Sequence, residues 1–375
     1  MRKEIKMGNS FQIGKLFGIS IRIDATWFVI FALIAWTLGS HYFPQFYPNW
    51  NQMIYWIMAV LTAIIFFASV VAHELAHSLV SKARGVPVRS ITLFIFGGVA
   101  EITDEPKKPA SEFWMAIAGP LTSIAIAIIF GGFYFLAGRS KTPFSAMSLW
   151  LSGINMTIAV FNLIPGFPLD GGRVLRSIIW RITGNIRSAT RVASIVGRIV
   201  AYLFILWGIY RIFFNNDIFG GIWIAFIGWF LENAASSSYR QLALKEALQG
   251  VRVRDVMMSD CPRLAYNLTI RELVDTYILH SNHQCFPVIN NETVIGIITI
   301  QSIKEVPRES WESVMINEIM IPLTEMISVS PDEEVFSVLQ KMAISRVSQI
   351  PVIQEGQLVG MISRDSLINI INLKT

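Results

Sequence analysis

Long apolar runs dominate the chain up to about residue 235, where an ordinary soluble composition takes over. A helix that crosses a bilayer needs about 20 mostly apolar residues. The pattern predicts six such helices, of which the fourth and sixth are short, and the fourth is expected to pass Pro165 as a broken helix. The six predicted spans cover about 25–40, 53–80, 112–137, 148–165, 192–214 and 218–234.

The remaining residues, 236–375, contain an internal repeat at an offset of 63 or 64 residues. Each unit is predicted to form helix, strand, turn, strand and helix, with a glycine inside the second strand. A repeated unit rarely buries a core alone, so the two copies are expected to pack together. The matching segments are Asp255-Val256-Met257 with Glu318-Ile319-Met320, Phe286-Pro287-Val288-Ile289 with Ile350-Pro351-Val352-Ile353, and Val294–Thr299 with Leu358–Ser363.

Composition and charge place the apolar part in a membrane. The chain is 53% hydrophobic and 15% charged, with a mean hydropathy of +0.51, which excludes an ordinary soluble protein. Its net charge of +5 comes from Lys and Arg between the apolar segments, so we do not predict nucleic-acid binding. Basic loops lie on the cytoplasmic side of membranes. The basic N-terminus, the loops after the second and fourth spans and everything after 235 are therefore predicted to be cytoplasmic, most simply at the plasma membrane.

Three ionisable residues stand at the cytoplasmic end of the second apolar run, in the motif His73-Glu74-Leu75-Ala76-His77. On a helix, positions i and i+4 share a face, so His73 and His77 can bind one zinc ion while Glu74 acts as a general base. A charge at the centre of a bilayer costs about 2.5–3.5 kcal/mol on insertion scales, which favours function over a chance match. The alternative is an interfacial helix with solvated polar residues.

A second polar stretch, residues 162–172 with the sequence NLIPGFPLDGG, follows the fourth span. A catalytic zinc site uses three protein ligands and keeps one position open. The carboxylate of Asp170 is a suitable third ligand, and it is predicted to reach the same side of the bundle as the two histidines. By itself the stretch would be read as an interfacial turn, for which Pro, Gly and Asp are ordinary residues.

On these residues the chain resembles the site-2 proteases, which are intramembrane zinc metalloproteases. The resemblance covers roughly residues 10–234 and includes Phe96-Gly97-Gly98 and Ala118-Gly119-Pro120 beside the two motifs above. It implies one zinc ion per chain bound by His73, His77 and Asp170, with Glu74 as the general base and later the acid. It also implies that Asn162 lies near the metal and donates to the oxyanion or to substrate backbone; a helix-packing amide is the alternative.

The resemblance further implies a strand at the inner edge of the membrane within Ile91–Ile102. A substrate helix must unwind before hydrolysis, and an exposed strand edge can hold the extended peptide by β-augmentation. The alternative is a cytoplasmic hairpin with no role in substrate binding.

The repeat, over about 250–372, resembles a tandem of cystathionine-β-synthase (CBS) domains, which implies an intimate α+β pair. That family's ribose contact is Thr or Ser followed three positions later by Asp. Here Ser302 follows Thr299 and Ser366 follows Ser363, while Asp365 is one position short. An adenine-nucleotide site and a rigid dimerisation or substrate-filtering module therefore both stay open. His280, His283 and Cys285 are not predicted to bind a metal, because the second repeat has no equivalent residues.

The predicted protein is thus a polytopic α-helical membrane protein with a C-terminal cytoplasmic α+β CBS-domain pair. Its domains are a six-helix protease domain at 1–235, a linker helix at 236–249 and CBS repeats at 250–310 and 311–375. The expected function is an intramembrane zinc endopeptidase that cleaves single-pass membrane proteins and forms a homodimer through the CBS pair. The alternatives are a CBS-gated transporter or channel and a non-proteolytic zinc-binding adaptor.

Overall fold

The structure is a computed structural model that describes residues 10–95, 97–102, 106–138, 141–279, 286–290, 293–345, 347–355, 357–364 and 366–367. It divides into two compact units, Met1–Leu242 and Ala243–Thr375. Five residues named above, Phe96, His280, His283, Cys285 and Asp365, lie outside the described residues.

Helices make up most of the first unit. Among the described residues, six are long and apolar enough to cross a membrane, which confirms the predicted six-helix fold. The first span, Ala25–Phe46, combines α1 (Ala25–Thr37), a π-helical turn and α2 (Phe43–Phe46). The other spans are α3 (Gln52–Ala83), α4 (Pro109–Leu136), α5 (Pro143–Asn162), α7 (Ile186–Phe214) and the first part of α8 (Ile218–Ala247).

The fourth span does not continue through Pro165. Helix α5 ends at Asn162, a turn follows, and a separate helix α6 spans Asp170–Thr183. Proline lacks the backbone N–H that a helix interior needs, and Pro165 and Pro168 lie close together. The chain therefore leaves the helix before them and starts a new one at Asp170.

The sixth span and the predicted linker helix at 236–249 are one helix rather than two. Helix α8 runs without interruption from Ile218 to Ala247. The segment 232–247 contains neither glycine nor proline, so nothing in it ends the helix.

A four-stranded sheet in the first unit has the order β1-β2-β3-β4. Strands β1 (Ser10–Leu16) and β2 (Ile19–Asp24) form a hairpin, β2 pairs parallel with β3 (Val88–Phe94), and β3 pairs antiparallel with β4 (Gly97–Ile102). The predicted single strand within 91–102 is therefore part of a hairpin, and β4 is one edge of the sheet. Leu75 of α3 packs against the sheet, which brings β4 next to Glu74.

The first hairpin was not predicted, although the sequence carries a signal for it. Phe17 and Gly18 both have positive φ, at 51° and 80°, which is the geometry of a two-residue hairpin turn. Apolar and polar residues partly alternate on both sides of this turn.

The second unit contains two α+β repeats that exchange their leading segments. Sheet β5-β6-β7-β8 combines three strands of the first repeat, β5 (Leu264–Ala265), β6 (Phe286–Asn290) and β7 (Thr293–Ile298), with β8 (Ile321–Pro322) from the leading segment of the second repeat. Strands β9 (Gln349–Gln354) and β10 (Gln357–Ser363) form the other sheet. The helices are α9 (Ile270–Leu273), continued by a π-helical turn, α10 (Ile300–Lys304), α11 (Ile316–Ile319) and α12 (Val335–Ser345).

Packing explains the repeated Asp-Val-Met and Glu-Ile-Met motifs. A Cβ on Gly296 of β7 would lie 2.7 Å from the sulfur of Met320, and one on Gly360 of β10 would lie 3.1 Å from the sulfur of Met257. Each methionine therefore covers the strand glycine of the other repeat. This exchange accounts for the paired core that the repeat predicted.

Candidate metal centre

Helix α3 brings two histidines to one point. His73 and His77 are one helical turn apart, both side chains are buried, and their Nε2 atoms are 3.2 Å apart. The i and i+4 spacing places both imidazoles on the same helix face, as the motif predicted.

The turn between α5 and α6 brings in Asp170, the first residue of α6. Its Oδ2 lies 3.3 Å from Nε2 of His73 and 3.1 Å from Nε2 of His77. Two glycines allow α6 to start so close to the preceding turn. A Cβ on Gly171 would lie 2.4 Å from the carbonyl oxygen of Ile164, and one on Gly172 would lie 2.3 Å from the carbonyl carbon of Gly166.

The other ring nitrogen of each histidine contacts α4. Nδ1 of His77 lies 2.6 Å from the carbonyl oxygen of Met115, and Nδ1 of His73 lies 2.9 Å from Oγ of Ser123. A carbonyl oxygen only accepts, so Nδ1 of His77 carries the proton and a neutral ring has its lone pair on Nε2. Such partners fix the tautomer and orientation of metal-binding histidines.

This donor set fits a zinc ion. Zinc binds imidazole nitrogen and carboxylate oxygen at about 2.0–2.2 Å in a tetrahedral arrangement, which separates neighbouring ligand atoms by about 3.3–3.6 Å. The three separations here, 3.1, 3.2 and 3.3 Å, are close to that value. Among the residues that the structure describes, His73, His77 and Asp170 form the group of His, Cys, Asp and Glu side chains that could hold a metal.

The ionisation of Asp170 suits the same role. Burial raises the pKa of its carboxyl group. In the metal-free site, where the rings of His73 and His77 can carry a proton on Nε2, their hydrogen bonds outweigh burial and hold the pKa below its ordinary value. The group is therefore a carboxylate at neutral pH and available as a ligand.

We expect Ser123→Ala to weaken zinc binding by about 10- to 100-fold, the usual effect of removing an outer partner of a metal ligand. The substitution takes away the oxygen that orients His73 and leaves the imidazole in place. Competition with a chelator measures the affinity. Ser152→Ala is the matched control, since Ser152 bonds to the carbonyl of Ala127 away from the histidines. Equal zinc affinity in wild type and Ser123→Ala would refute the role of Ser123.

Glu74 lies beside the histidines at the wall of a cavity of about 780 Å³. Gly98 of β4 is in close contact with it, since a Cβ there would lie 2.5 Å from Cγ of Glu74. The cavity is mainly apolar, and it is bounded by residues of α1, α3, α5, α8 and β4, including Phe66, Phe67, Trp223, Phe226 and Leu231. The carboxyl group of Glu74 and the three ligands thus share one space with room for a substrate.

Asn162 is also in the wall of this cavity, at the last residue of α5. Its Nδ2 donates to the carbonyl oxygen of Ile158, 3.1 Å away, one turn earlier in the same helix. One N–H of the amide is left for another acceptor. The role of Asn162 towards an oxyanion stays a prediction.

Several residues of the centre were missed from the sequence. Ser123 and Met115 face the histidines from α4, and Arg173, one turn after Asp170, lines the cavity. A serine in an apolar helix, four residues after Gly119, is the available signal for Ser123. Met115 acts through its backbone carbonyl, and every residue has one, so its side chain gives no signal in the sequence.

Comparison with protein families supports both halves of the chain. The sequence model described as Peptidase family M50 matches residues 61–148 and 139–207, and that of the CBS domain matches 253–309 and 316–373.

Curated relatives extend over nearly the whole chain. A protein of Synechocystis sp., named as a zinc metalloprotease, is 35% identical over 365 residues, which are 96% of this chain and 95% of the relative. Rip3 of Mycobacterium tuberculosis, named likewise, is 30% identical over 371 residues, covering 98% of this chain and 94% of Rip3. The solved structure of the site-2 protease from Methanocaldococcus jannaschii is 28% identical with a TM-score of 0.41, over 62% of this chain and 95% of that one.

Proposed function

Because this chain belongs to peptidase family M50, the site-2 protease family, we propose that it hydrolyses peptide bonds within or beside transmembrane segments of membrane-anchored proteins. Membership of this family makes the chain a zinc metalloprotease. The six apolar helices make it a multi-pass membrane protein. The substrate and the position of the cut are the proposed part.

The convergence of His73, His77 and Asp170 beside Glu74, in an apolar cavity of about 780 Å³, carries the proposal. A peptide entering from water would have to desolvate its polar groups against Phe66, Trp223 and Leu231. An apolar segment leaving the bilayer would exchange lipid for these side chains at little cost.

A zinc ion bound here supplies a Lewis acid that polarises the peptide carbonyl and makes water a usable nucleophile near neutral pH. His73, His77 and Asp170 would hold it. Glu74 accepts the proton of the attacking water and returns it to the leaving amine nitrogen. The free N–H of Asn162 donates to the oxyanion that develops on the carbonyl oxygen.

A substrate helix hides its peptide bonds in its own hydrogen bonds, so an extended conformation must be held in another way. As an edge strand, β4 has one side without a strand partner among the described residues, and Val99 on it is exposed and lines the cavity. We propose that the unwound substrate pairs with β4.

The variant Val99→Cys is combined with Glu74→Gln, so that substrate binds but is not cleaved. We expect Cys at position 99 to form disulfides with cysteines at every second position of one substrate segment. Side chains alternate between the two faces of a strand, whereas a helical substrate would react at intervals of three or four. Cross-linking of a cysteine scan through the substrate measures the interval. Ile13→Cys on β1, the opposite edge of the sheet, is the control and should react weakly. Helical spacing would refute pairing with β4.

Basic loops support a cytoplasmic position of both termini and of the CBS pair, and we propose the plasma membrane as the location. Homodimerisation through the CBS pair belongs to the same proposal.

A cysteine introduced at the exposed residue Glu309 tests the orientation. On intact cells it should react with a membrane-impermeant, cysteine-directed dye only after lysis.

We also propose that the CBS pair regulates cleavage. Helix α8 contributes Trp223 and Phe226 to the cavity wall and ends at Ala247, after which Leu248 is buried in the core of the second unit. The hydroxyls of Thr299 and Ser302 bond to each other, as do those of Ser363 and Ser366. Titration of the purified chain with AMP and ATP decides between the two open alternatives: saturable binding that Thr299→Val removes supports a nucleotide site, and no binding supports a dimerisation or filtering module.

The experiment that tests the main proposal is cleavage of a panel of single-pass membrane proteins in liposomes, with zinc removed by a chelator and then restored. We expect cleavage only with zinc present, and fragment masses that place the cut within or beside the transmembrane segment. Purified protein that binds no zinc, or cleavage that resists chelation, would overturn the proposal. Solute flux into the liposomes without cleavage would favour the transporter or channel, and zinc binding without cleavage of any substrate would favour the adaptor.

A further inference from the structure

A buried ion pair lies outside the set of metal ligands and joins α4 to α6. Glu112 is fully buried in the first turn of α4, and the Arg176 side chain on α6 is 13% exposed. Nε of Arg176 donates to Oε1 of Glu112 at 2.6 Å, and Nη2 contacts the same oxygen. Oε2 of Glu112 has no hydrogen-bond partner among the described residues. A buried pair of this kind is weak evidence for stability, because desolvation opposes the attraction.

Arg176 also contacts the turn that delivers Asp170. Its guanidinium carbon lies 5.2 Å from the centre of the Phe167 ring, a cation–π distance. Phe167 is buried three residues before Asp170, and Arg176 follows six residues after it. One guanidinium therefore contacts both the turn before Asp170 and the side of its helix.

The turn before helix α6 is also held by a hydrogen bond from the backbone N–H of Phe167 to the carbonyl oxygen of Ala193, 3.2 Å away, but the start of the helix lacks a side-chain cap. The N-cap residue Leu169, which precedes Asp170, makes no side-chain hydrogen bond to the helix, and the helix has only 14 residues. Close contacts at Gly171 and Gly172 limit how near the turn can approach, but contacts between backbone atoms alone do not set a direction along α4. Among the described residues, the side-chain hydrogen bond that joins these two helices is the one from Arg176 to Glu112.

Helix α4 also contacts both histidines and orients their rings. Glu112 lies one turn before Met115, and the carbonyl oxygen of Met115 orients His77. Further along the same helix, Ser123 orients His73. Two ligands are thus positioned by α4 directly, and the third reaches it through Arg176. Since all three ligand atoms must meet within 3.1–3.3 Å, a shift of α6 by about 1 Å would move Asp170 out of the coordination distance.

We propose that Glu112 and Arg176 are positioning residues that hold the Asp170 carboxylate against His73 and His77. Neither contacts the reacting atoms. The inference rests on the metal centre of the proposed function and is independent of the substrate. It predicts that breaking the pair weakens metal binding by loosening one ligand, while the two histidines stay in place.

The test measures zinc affinity of the purified full-length chain by competition with a chelator. Arg176→Gln and Glu112→Gln should weaken binding by about 10- to 100-fold, as loss of an outer-shell partner does. Arg176→Lys keeps the charge but loses the two-nitrogen fork and should fall between these variants and wild type. Arg181→Gln, an exposed arginine on the same helix, should bind zinc like wild type.

A double-mutant cycle separates positioning from a general effect on folding. If Arg176 acts through Asp170, then Arg176→Gln should weaken zinc binding in the wild-type background but have no further effect once Asp170→Asn is present. An equal loss in both backgrounds would overturn the proposal, and so would unchanged affinity in Arg176→Gln and Glu112→Gln. If either glutamine variant fails to fold, Arg176→Lys carries the same cycle, and wild-type affinity for it overturns the proposal.

The visible spectrum of the Co²⁺-substituted protein provides a second measurement that folding alone would not change. Loss of one carboxylate ligand should alter the absorption bands of Arg176→Lys towards those of Asp170→Asn. A spectrum identical to wild type would contradict the proposal. Wild-type protein that binds neither Zn²⁺ nor Co²⁺ would instead refute the metal centre itself, so the two failures can be told apart.

Discussion

Replacing Glu74 with Gln is expected to abolish peptide-bond hydrolysis while zinc stays bound. The amide keeps the size of the side chain beside Gly98 but cannot accept a proton from water. General acid–base catalysis contributes about 10²–10⁴-fold, so cleavage should fall by at least that range. The measurements are the cleavage rate in liposomes and the zinc content of the same preparation.

Glu232→Gln is the matched control for this prediction. Glu232 is a carboxylate of α8 that pairs with Arg198 and does not line the cavity. The variant Glu232→Gln should cleave substrate at the wild-type rate. Equal cleavage by wild type and Glu74→Gln would exclude Glu74 as the base, and loss of zinc from Glu74→Gln would assign it to the metal centre instead.

Gly119→Ala is expected to eliminate zinc binding, although it adds one methyl group. The new Cβ would lie 2.1 Å from Nε2 of His77 and 2.5 Å from Nε2 of His73, within the space of the ligand atoms themselves. The imidazoles would have to rotate away from Asp170. We expect zinc affinity to fall by more than about 100-fold, beyond the usual effect of an outer-shell change. Chelator competition measures it, and cleavage should be lost in parallel.

Gly132→Ala provides the control in the same helix. No atom lies within 4 Å of a Cβ at Gly132, and alanine is a better helix former than glycine. This variant should keep zinc and activity, and α4 should be no less stable. If Gly119→Ala binds zinc as tightly as wild type, α4 does not lie against the two histidines, and the geometry of the centre is wrong.

Local features of the sequence were enough for the spans and for the ligand types. The six apolar runs report directly on membrane helices because a bilayer demands length and hydrophobicity from each helix separately. His73 and His77 could be paired because they are four residues apart on one helix. Asp170 required an inference over 93 residues from His77. It was made from the need for a third ligand on the same side of the bundle, and the resemblance to a protease family added support.

The repeat was equally readable, but its packing was not. Matching segments predicted two similar α+β units. In the structure Met320 covers Gly296 and Met257 covers Gly360, so the repeats exchange their leading segments. The sequence pattern shows that these segments occur twice, but it does not show which of them are in contact. The end of α5 at Asn162 and the continuation of α8 to Ala247 were likewise decided by turn and packing geometry.

The sequence by itself determined the number of spans, the two histidines with the glutamate beside them, and the doubling of the C-terminal domain, because length, period and spacing express them locally. Only the tertiary structure decided how the ligands are oriented. The contacts of Met115, Ser123 and Glu112 join residues 38, 50 and 64 positions apart. A backbone carbonyl, a single hydroxyl and a buried carboxylate acquire their roles from the neighbours that folding gives them, and no local pattern records those neighbours.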